Sequence, residues 1–435
     1  MPTFVSKLLI GSLTANAIKT KSLSYHLMLE NGLISQPITK GVHVTLPIGQ
    51  RIVDKLVNII EVELNNVGCQ KLVMPSLAPR SLWEKTNRWD EMGSEMYKFK
   101  DRKNSDFCLQ PTGEEMVTNV VKSLGTPRLS QLPIKLYQTT EKYRDEMNSR
   151  FGWLRGKQFL MNDLYTFDKT KTDALNTYKE INKAYDKIFN DILELKDIVH
   201  KVEADSGLMG GNLSHEYQIK NESAEDKLVQ CMKCNNIFKN DSVDSSANKC
   251  SSCGNNKDFQ VHDSIEIAHT FYLGQKYSKS FGAISSQNGN DYYEMCCFGI
   301  GVTRLIAACI DALSGGKTSM RLPKAITPYK KVLVLPNKWD KPLLKEQLNL
   351  VVKELSKKLQ DHTDILIDDR NDRSIGKKLI EWNKFGAHDI CVISTSANNL
   401  LDKDAIEYYT TDKNNPRLNR HPNLDFDSWV DVMIK

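Results

Sequence analysis

Two arginines far apart in the chain and one glutamate are well suited to hold a charged substrate. Arg144 and Glu146 are two positions apart, so on a strand both side chains point to the same face. Arg304 closes the run Gly-Ile-Gly-Val-Thr-Arg, which leads into an apolar stretch. Arginine can hold a polyanion through forked hydrogen bonds, and a carboxylate can accept from a purine amino group. Each pattern alone is common, and an exposed hairpin with a cross-strand salt bridge is the alternative for the first.

Four of the ten cysteines form two Cys-x-x-Cys pairs. The segment between the pairs is rich in Asn, Asp and Ser, so metal binding would supply most of its stability. This spacing is typical of a zinc ribbon, and reduced, unliganded knuckles on a vestigial loop are the alternative. Because the protein would fill all four positions, a zinc ion here would be structural. The predicted ligands are Cys231, Cys234, Cys250 and Cys253.

Length and composition are typical of a soluble globular protein with two or three domains. The chain has 435 residues, of which 40% are hydrophobic and 26% charged. No apolar run approaches the roughly 18 residues of a membrane span. The net charge of +5 is compatible with nucleic-acid binding but does not indicate it. The six scattered cysteines and the two knuckles favour a reducing compartment over a disulfide framework.

The residues around Arg144 predict two strands joined by a long basic loop. An apolar, β-prone piece begins at Tyr137, and an apolar return runs from Gln158 to Phe167. Upstream, apolar residues at helical spacing predict a helix from Gln50, and Gly68 is placed to end it. A short strand and Pro75 follow.

Three further segments carry polar residues in positions that chemistry could use. Thr112 as N-cap and Glu115 at N3 would form a capping box, so Glu114, which that box does not need, is the more informative residue. Ser214-His-Glu216 follows a glycine-rich turn, where a lone His is usually structural. Glu266 lies in an apolar segment alternating at period two, which suits a metal or ribose ligand or, alternatively, the wet face of an edge strand.

From Tyr329 onward, strands and helices alternate. Strands are predicted at 331–336, 364–368 and 389–393, with helices at 343–359 and 375–382. This order predicts a mixed α/β domain with parallel strands.

Taken in order, these segments resemble the class II aminoacyl-tRNA synthetases. The helix and strand before Pro75 resemble motif 1, the hairpin at Arg144 resembles motif 2, and Gly-Ile-Gly-Val-Thr-Arg resembles motif 3. With Thr112-Gly-Glu114, Ser214-His-Glu216 and the α/β tail, residues 22–435 are similar to the prolyl-tRNA synthetases of the bacterial type found in mitochondria. The fold class implied is an α+β catalytic domain on an antiparallel sheet, with a C-terminal mixed α/β anticodon-binding domain.

This resemblance implies activation of proline with ATP and its transfer to the 3′ end of tRNA(Pro). Arg144 and Arg304 are expected to bind the ATP phosphates as the catalytic residues. Glu146 would accept from the adenine amino group, Phe159 would stack on adenine, and Glu266 would be a Mg²⁺ ligand. The residues expected on the proline side are Thr112, Glu114, Arg155, His215 and Cys297.

The resemblance also implies a domain order. Residues 1–225 and 261–325 would form the two parts of the catalytic domain, 226–260 the cysteine-knuckle insert, and 329–435 the anticodon-binding domain. Bacterial relatives commonly carry a large editing domain where this chain has only the short insert, so we expect no editing in cis. A homodimer formed through motif 1 is implied as well.

The N-terminal stretch bears on localisation. No acidic residue precedes Glu30, while Lys7, Lys19 and Lys21 are basic and Ser and Thr are frequent. This resembles a transit peptide, although the lack of Arg is atypical. We therefore expect the mitochondrial matrix, with the cytoplasm as the alternative. Equally, the stretch could be a short segment that packs on the catalytic domain.

Two other functions fit parts of the pattern. A catalytically silent synthetase paralogue would bind tRNA or regulate, but such proteins typically lose the arginine of motif 2 or motif 3. Threonine or serine specificity is the other alternative, and the threonine branch is expected to carry zinc ligands in the catalytic core itself. Here both arginines are present and the paired cysteines lie in an insert.

Overall fold

A computed structural model describes most of the chain. The described residues are 3–10, 20–222, 226–239, 249–286, 291–317, 319–337, 345–346, 349, 364–393, 405–411, 417–425, 428–429 and 431–432. They fall into two compact units, one of Met1–Gln36, Val44–Lys55 and Cys309–Lys435, the other of Pro37–His43 and Leu56–Ala308. The helix predicted at 343–359 lies almost wholly outside the described residues. Among the described helices, none combines the length and apolar content that a membrane crossing requires.

The secondary-structure elements are numbered in chain order. The strands are β1 (Thr3–Phe4), β2 (Gln70–Lys71), β3 (Leu77–Pro79), β4 (Lys98–Lys100), β5 (Asp106–Leu109), β6 (Ile134–Tyr143), β7 (Gln158–Asp168), β8 (Val199–Glu203), β9 (Leu213–Lys220), β10 (Asp226–Cys231), β11 (Ile237–Lys239), β12 (Phe259–Gly274), β13 (Glu294–Gly301), β14 (Lys331–Val334), β15 (Ile365–Asp368), β16 (Asp389–Ile393), β17 (Ile406–Thr411) and β18 (Leu418–Arg420). The α-helices are α1 (Leu23–Glu30), α2 (Pro47–Asn66), α3 (Arg80–Trp83), α4 (Arg88–Glu91), α5 (Glu114–Ser123), α6 (Lys171–Asp186), α7 (Lys276–Phe281), α8 (Val302–Leu313) and α9 (Ile375–Lys384).

A nine-stranded sheet is the framework of the second unit. Its order within the described residues is β11-β10-β12-β13-β7-β6-β2, and β9 pairs with β12 and β8 with β9. All of these pairings are antiparallel except that of β2 with β6. The predicted hairpin is confirmed, since β6 and β7 pair from Ile134 opposite Phe167 to Tyr143 opposite Gln158. A smaller antiparallel sheet has the order β3-β5-β4.

Helix α2 ends as its sequence predicts but begins three residues earlier, at Pro47. Proline suits a first helical position because its missing N–H has no intrahelical partner there. At the other end, Gly68 has φ +74° and its N–H donates to the Asn65 carbonyl at 2.9 Å. The Cys69 N–H donates to the Leu64 carbonyl at 3.0 Å, which completes a Schellman motif.

Strand β12 contains a bulge that decides which side chains share a face. Its register with β9 shifts between Glu266 and Ala268, so Ile267 is the extra residue. In a regular strand, Glu266 and His269 would point to opposite faces because they are three positions apart. The inserted residue brings both onto the same face.

The first unit is built on a six-stranded sheet of order β1-β15-β14-β16-β17-β18. Strands β1, β15, β14 and β16 pair in parallel, which confirms the predicted parallel α/β arrangement, and β17 and β18 add antiparallel strands. Strand β1 comes from the start of the chain: Thr3 pairs with Leu366 and Phe4 with Ile367. Phe4 packs against this unit's core, where Leu333 and Ile365 are buried.

Candidate active site

A cavity of about 290 Å³ lies in the second unit, walled by β7, β12, β13 and the start of α5. Because side chains alternate along a strand, each of these strands turns one face to the cavity. Gly299 and Gly301 of β13 line the cavity without side chains that would fill it. The structure brings seven of the predicted site residues to its lining: Thr112, Glu114, Arg144, Phe159, Glu266, Cys297 and Arg304.

The two arginines converge on this one cavity. Arg304 is the third residue of α8, and its guanidinium donates to the Leu154 and Glu266 carbonyls at 3.1 and 3.2 Å. Arg144 follows β6 directly and its guanidinium carbon lies 5.3 Å from the centre of the Phe159 ring. Within the described part of the chain, its guanidinium makes one long hydrogen bond, 3.5 Å to the Pro111 carbonyl, and its buried Nε has no hydrogen-bond partner. Arg144 therefore keeps donors available for a ligand.

Glu266 supplies negative charge beside these guanidinium groups. His269 Nδ1 lies 3.6 Å from the Glu266 carboxylate. Burial opposes ionisation of Glu266, but the hydrogen bond and charge of His269 and the charges of the two arginines outweigh it and lower its pKa. Glu266 is therefore ionised at neutral pH. Burial is also the main reason why the pKa of Arg304 is lowered.

A buried charge cluster borders the cavity, where Arg88 and Glu114 are lining residues. The Arg88 guanidinium donates to Glu115 at 3.0 and 3.1 Å and to Glu114 at 3.3 Å, with all three side chains at most 2% exposed. Thr86 donates a further hydrogen bond to Glu115 at 2.7 Å, so Glu115 has the stronger partners. Glu114 shares the guanidinium more weakly and retains capacity for another cation. The sequence analysis missed Arg88, which carries no motif or periodicity to mark it.

The predicted capping box at Thr112 is wrong. Helix α5 begins at Glu114, its N-cap is Gly113, and no side chain caps it. The Thr112 hydroxyl instead donates to the Glu114 carboxylate at 2.7 Å, because both side chains turn into the cavity. Gly113 leaves no room for a side chain: a Cβ there would lie 2.8 Å from Met74 and 2.9 Å from the Tyr165 hydroxyl.

Strand β7 adds two polar residues that the sequence analysis also missed. Tyr165 accepts from the Gly113 N–H at 2.9 Å and donates to Asp163 at 2.7 Å. Lys142 forms an ion pair with Asp163 at 2.9 Å, and both are nearly fully buried. Polar residues alternating along an otherwise apolar return strand were the available signal. Through the hydrogen bond from Gly113, this network holds the segment that carries Thr112 and Glu114 against β7.

Cys297 lies on the cavity wall in β13, and its expected role on the proline side stays a prediction. It is 4% exposed. Burial, reinforced by the nearby Glu114 carboxylate, raises the pKa of its thiol well above the ordinary value. Cys297 is therefore a neutral thiol that shapes the wall, and it is not an activated nucleophile.

Glu146 and Arg155 are not among the residues that line the cavity, although the charge of Glu146 is near enough to raise the pKa of Arg304. Strand β6 ends at Tyr143, and the Glu146 N–H donates to the Arg144 carbonyl at 2.8 Å. This tight turn carries Glu146 off the strand face that it was expected to share with Arg144. Its carboxylate instead pairs with Arg155 at 2.8 Å. The adenine role of Glu146 and the proline-side role of Arg155 stay predictions that this pairing does not support.

His215 faces the other side of the sheet. Its Nδ1 lies 2.8 Å from the Tyr178 hydroxyl on α6, and that hydroxyl also bonds Thr270, the residue opposite His215 on β12. Alternation along β9 thus sends Ser214 and Glu216 toward the cavity and His215 away from it. His269 is the histidine on the cavity: it bonds Ser214 at 2.6 Å and stacks on Phe271 with ring centres 3.8 Å apart. The expected proline-side role of His215 is not supported by this placement.

The four predicted metal ligands come together. The sulfur of Cys231 lies 3.7 Å from that of Cys253, and the sulfurs of Cys234 and Cys250 are 3.5 Å apart. All four sulfurs lie within 4.8 Å of one another and none forms a disulfide. A tetrahedral ion with zinc–sulfur bonds of about 2.3 Å separates its sulfurs by about 3.8 Å. The cluster therefore has the dimensions of a four-thiolate zinc site.

Known proteins share both the sequence and the fold. Residues 97–313 match the family described as tRNA synthetase class II core domain (G, H, P, S and T). The probable mitochondrial proline–tRNA ligase of Homo sapiens is 40% identical over 367 residues, covering 83% of this chain and 76% of that protein. The proline–tRNA ligase of Ehrlichia ruminantium is 35% identical over 397 residues, covering 88% of this chain and 90% of that protein.

Solved structures agree at the level of the fold. Prolyl-tRNA synthetase of Giardia lamblia in complex with prolyl-adenylate has a TM-score of 0.72 and 18% identity, covering 95% of this chain and 75% of that one. The enzyme of Cryptosporidium parvum complexed with L-proline and AMP has a TM-score of 0.71 and 16% identity, covering 94% and 74%. The predicted class II synthetase fold is thereby confirmed.

Proposed function

This chain belongs to the proline–tRNA ligase family, and we propose accordingly that it activates proline with ATP and transfers it to the 3′ end of tRNA(Pro). The observation that carries the proposal is the convergence of Arg144 and Arg304 on one cavity beside Glu266. A silent paralogue has no need of both guanidinium groups in one cavity.

The first step needs positioning and charge neutralisation rather than a covalent nucleophile. The proline carboxylate attacks the α-phosphorus of ATP, which gives prolyl-adenylate and releases pyrophosphate. Arg144 and Arg304 hold the phosphates and offset the negative charge that grows in the transition state. Phe159 presents its ring to adenine. In the second step, the terminal ribose hydroxyl of tRNA attacks the prolyl carbonyl and AMP leaves.

The proline ammonium is proposed to bind at the buried charge cluster. Glu114 shares one guanidinium with Glu115, and the three groups together have more carboxylates than cations. A substrate ammonium beside Glu114 and Thr112 would supply the missing positive charge. Cys297 and Phe271 would form apolar walls for the pyrrolidine ring, since both line the cavity.

Two metal ions are proposed on the chemistry of the residues present. The ionised Glu266 carboxylate on the cavity wall suits Mg²⁺, which prefers oxygen ligands and would neutralise phosphate charge when bound with ATP. The four sulfurs near tetrahedral spacing suit a structural Zn²⁺ at Cys231, Cys234, Cys250 and Cys253.

The domain assignment follows from the family. Residues 329–435 are proposed as the anticodon-binding domain, residues 1–225 and 261–325 as the catalytic domain, and 226–260 as an insert without editing activity.

A homodimer is proposed as well. Val62 and Val73, in the predicted dimer motif, are 45% and 75% exposed, which supports a dimer that covers them. The mitochondrial relatives favour the mitochondrial matrix, with the cytoplasm as the alternative.

Exchange of labelled pyrophosphate into ATP, measured across a panel of amino acids, tests this function. We expect exchange with proline that exceeds exchange with alanine, serine and threonine, and charging of tRNA(Pro) transcript in a second assay. Exchange that responds to threonine or serine instead would transfer the assignment to that specificity. No exchange with any amino acid, combined with retained tRNA binding, would favour the silent paralogue.

A further inference from the structure

Lys239 reaches from the cysteine-knuckle insert to the edge of the catalytic cavity. It is the last residue of β11, and its ammonium donates to the Glu216 carboxylate at 2.8 Å. Its side chain is 17% exposed and that of Glu216 is 4% exposed. The pair is therefore a mostly buried contact between the insert and β9.

Glu216 needs this cation. Among the described residues, its carboxylate also accepts from the neutral Gln218 amide at 2.6 Å and lies 3.8 Å from His269 Nδ1, which is charged only if protonated. A buried carboxylate that loses its counter-ion is strongly unfavourable, because its charge is left uncompensated in a poorly solvated place. The charges of Glu216, Asp226 and Glu266 all raise the pKa of Lys239 against the effect of its burial, so it stays an ammonium ion.

His269 connects this ion pair to the proposed Mg²⁺ ligand. It sits directly opposite Glu216 on the paired strands, and its Nδ1 lies between the carboxylates of Glu216, at 3.8 Å, and Glu266, at 3.6 Å. While Lys239 neutralises the Glu216 carboxylate, the imidazole of His269 is available to interact with the Glu266 carboxylate. Without Lys239, two carboxylates within 4.8 Å would compete for one imidazole and repel each other.

Lys239 belongs to the hairpin whose turn is the first cysteine pair. Strands β10 and β11 form a hairpin whose turn is the first Cys-x-x-Cys pair, with the Asn235 N–H donating to the Cys231 carbonyl at 2.8 Å. Strand β11 has only three residues, none of them fully buried, and its aromatic support is one edge-on contact between Phe238 and Phe259. Lys239 is therefore held by its pairing with Leu228 in this hairpin, whose turn carries two of the four clustered sulfurs.

We propose that Lys239 is a positioning residue: by neutralising Glu216 it keeps His269 and Glu266 arranged for the magnesium complex of ATP. The proposal rests on the proposed function and deepens it, since it makes the insert a working part of the nucleotide site. Lys239 is not one of the residues that line the cavity. Its effect passes through the buried carboxylate and the imidazole.

Kinetics of proline-dependent pyrophosphate exchange test this role. Lys239→Met should raise the KM for MgATP about 10- to 100-fold, the range found when partners behind a metal ligand are removed. The KM for proline should stay within twofold, and Lys239→Arg should restore most of the loss. The matched control is Lys227→Met in the same hairpin, where Lys227 is half exposed and pairs with the partly exposed Asp263.

A charge-removal pair separates positioning from folding. Combining Glu216→Gln with Lys239→Met removes both charges, so the double variant should have a lower KM for MgATP than Lys239→Met alone. If the lysine served only to hold the hairpin, the double variant would be no better than the single one. Equal KM values for Lys239→Met and Lys227→Met, or a parallel rise in the KM for proline, would overturn the proposal.

Nucleotide binding keeps this test independent of the assigned reaction. Calorimetry with Mg²⁺ and a non-hydrolysable ATP analogue should show weaker binding for Lys239→Met than for wild type and Lys227→Met. If wild type gives no exchange with proline but this difference is present, the proposed function fails and the positioning role stands. If exchange is normal and the binding difference is absent, the positioning role fails alone.

Discussion

Replacing Arg144 with alanine tests the phosphate clamp with little risk to the fold. The Arg144 side chain makes one long contact to a carbonyl and lies over Phe159, so few interactions within the protein depend on it. We expect its contribution to be to catalysis, because the guanidinium would donate to phosphate oxygens whose charge grows in the transition state.

The magnitude follows from the number of donors lost. One donor to a developing oxyanion is worth about 10²- to 10³-fold in rate, and a forked guanidinium supplies two, so exchange should fall by roughly 10³-fold or more. Arg150→Ala is the matched control, because Arg150 is an exposed residue of the same hairpin loop. Measured without tRNA, that variant should exchange pyrophosphate at nearly the wild-type rate.

Two results would refute this reasoning. A loss below about tenfold for Arg144→Ala, equivalent to about 1.4 kcal/mol, would be too small for a group that holds the reacting phosphate. An equal loss for Arg150→Ala would show that the loop as a whole matters and not the guanidinium in the cavity. Thermal unfolding of both variants checks that neither loss comes from partial unfolding.

Three further outcomes are expected. Arg88→Met leaves two buried carboxylates without their cation and should lower the free energy of unfolding in urea by about 3–5 kcal/mol. The control Arg80→Met removes an exposed ion pair and should cause no measurable change. Similar urea midpoints for the two variants would contradict the burial argument. Zinc analysis should find one ion per chain in wild type and in Cys309→Ala, and a clear loss in Cys253→Ser; equal zinc in all three would remove the site. Burial raises the pKa of Asp168 to about 6, so the native state binds the proton more tightly than the unfolded chain and stability should fall by about 3 kcal/mol as pH rises from about 4 to 7. Asp168→Asn should lack this fall, and parallel pH curves for the two proteins would show that the carboxyl does not cause it.

Local patterns were enough to predict the elements around the site. The hairpin of β6 and β7, the C-terminal end of α2 and the strand-to-helix passage before Arg304 all follow from periodicity and glycine placement. These features are set by residues close together in the chain, where alternation and capping rules apply directly. The sulfur cluster was predictable for the same reason, since its spacing is itself the signal.

Side-chain direction was harder to predict because one residue can invert it. The bulge at Ile267 turns Glu266 and His269 to one face, and nothing in the local sequence marks the insertion. Alternation along β9 was readable, but the family resemblance directed attention to His215 and away from Glu216. Long-range partners were out of reach altogether: the pairing of Arg88 with the first two residues of α5 depends on packing and has no sequence pattern.

Strand β1 ties the beginning of the chain to a sheet made much later. The Ser6 backbone N–H and hydroxyl both donate to Asp369, 363 residues away, and β1 pairs with β15 beside it. A ribosome adding about 5–20 residues per second reaches that partner tens of seconds after it made the first strand. Strand β1 cannot make this pairing until the chain has grown by 363 residues, so this sheet does not fold in the order of the sequence.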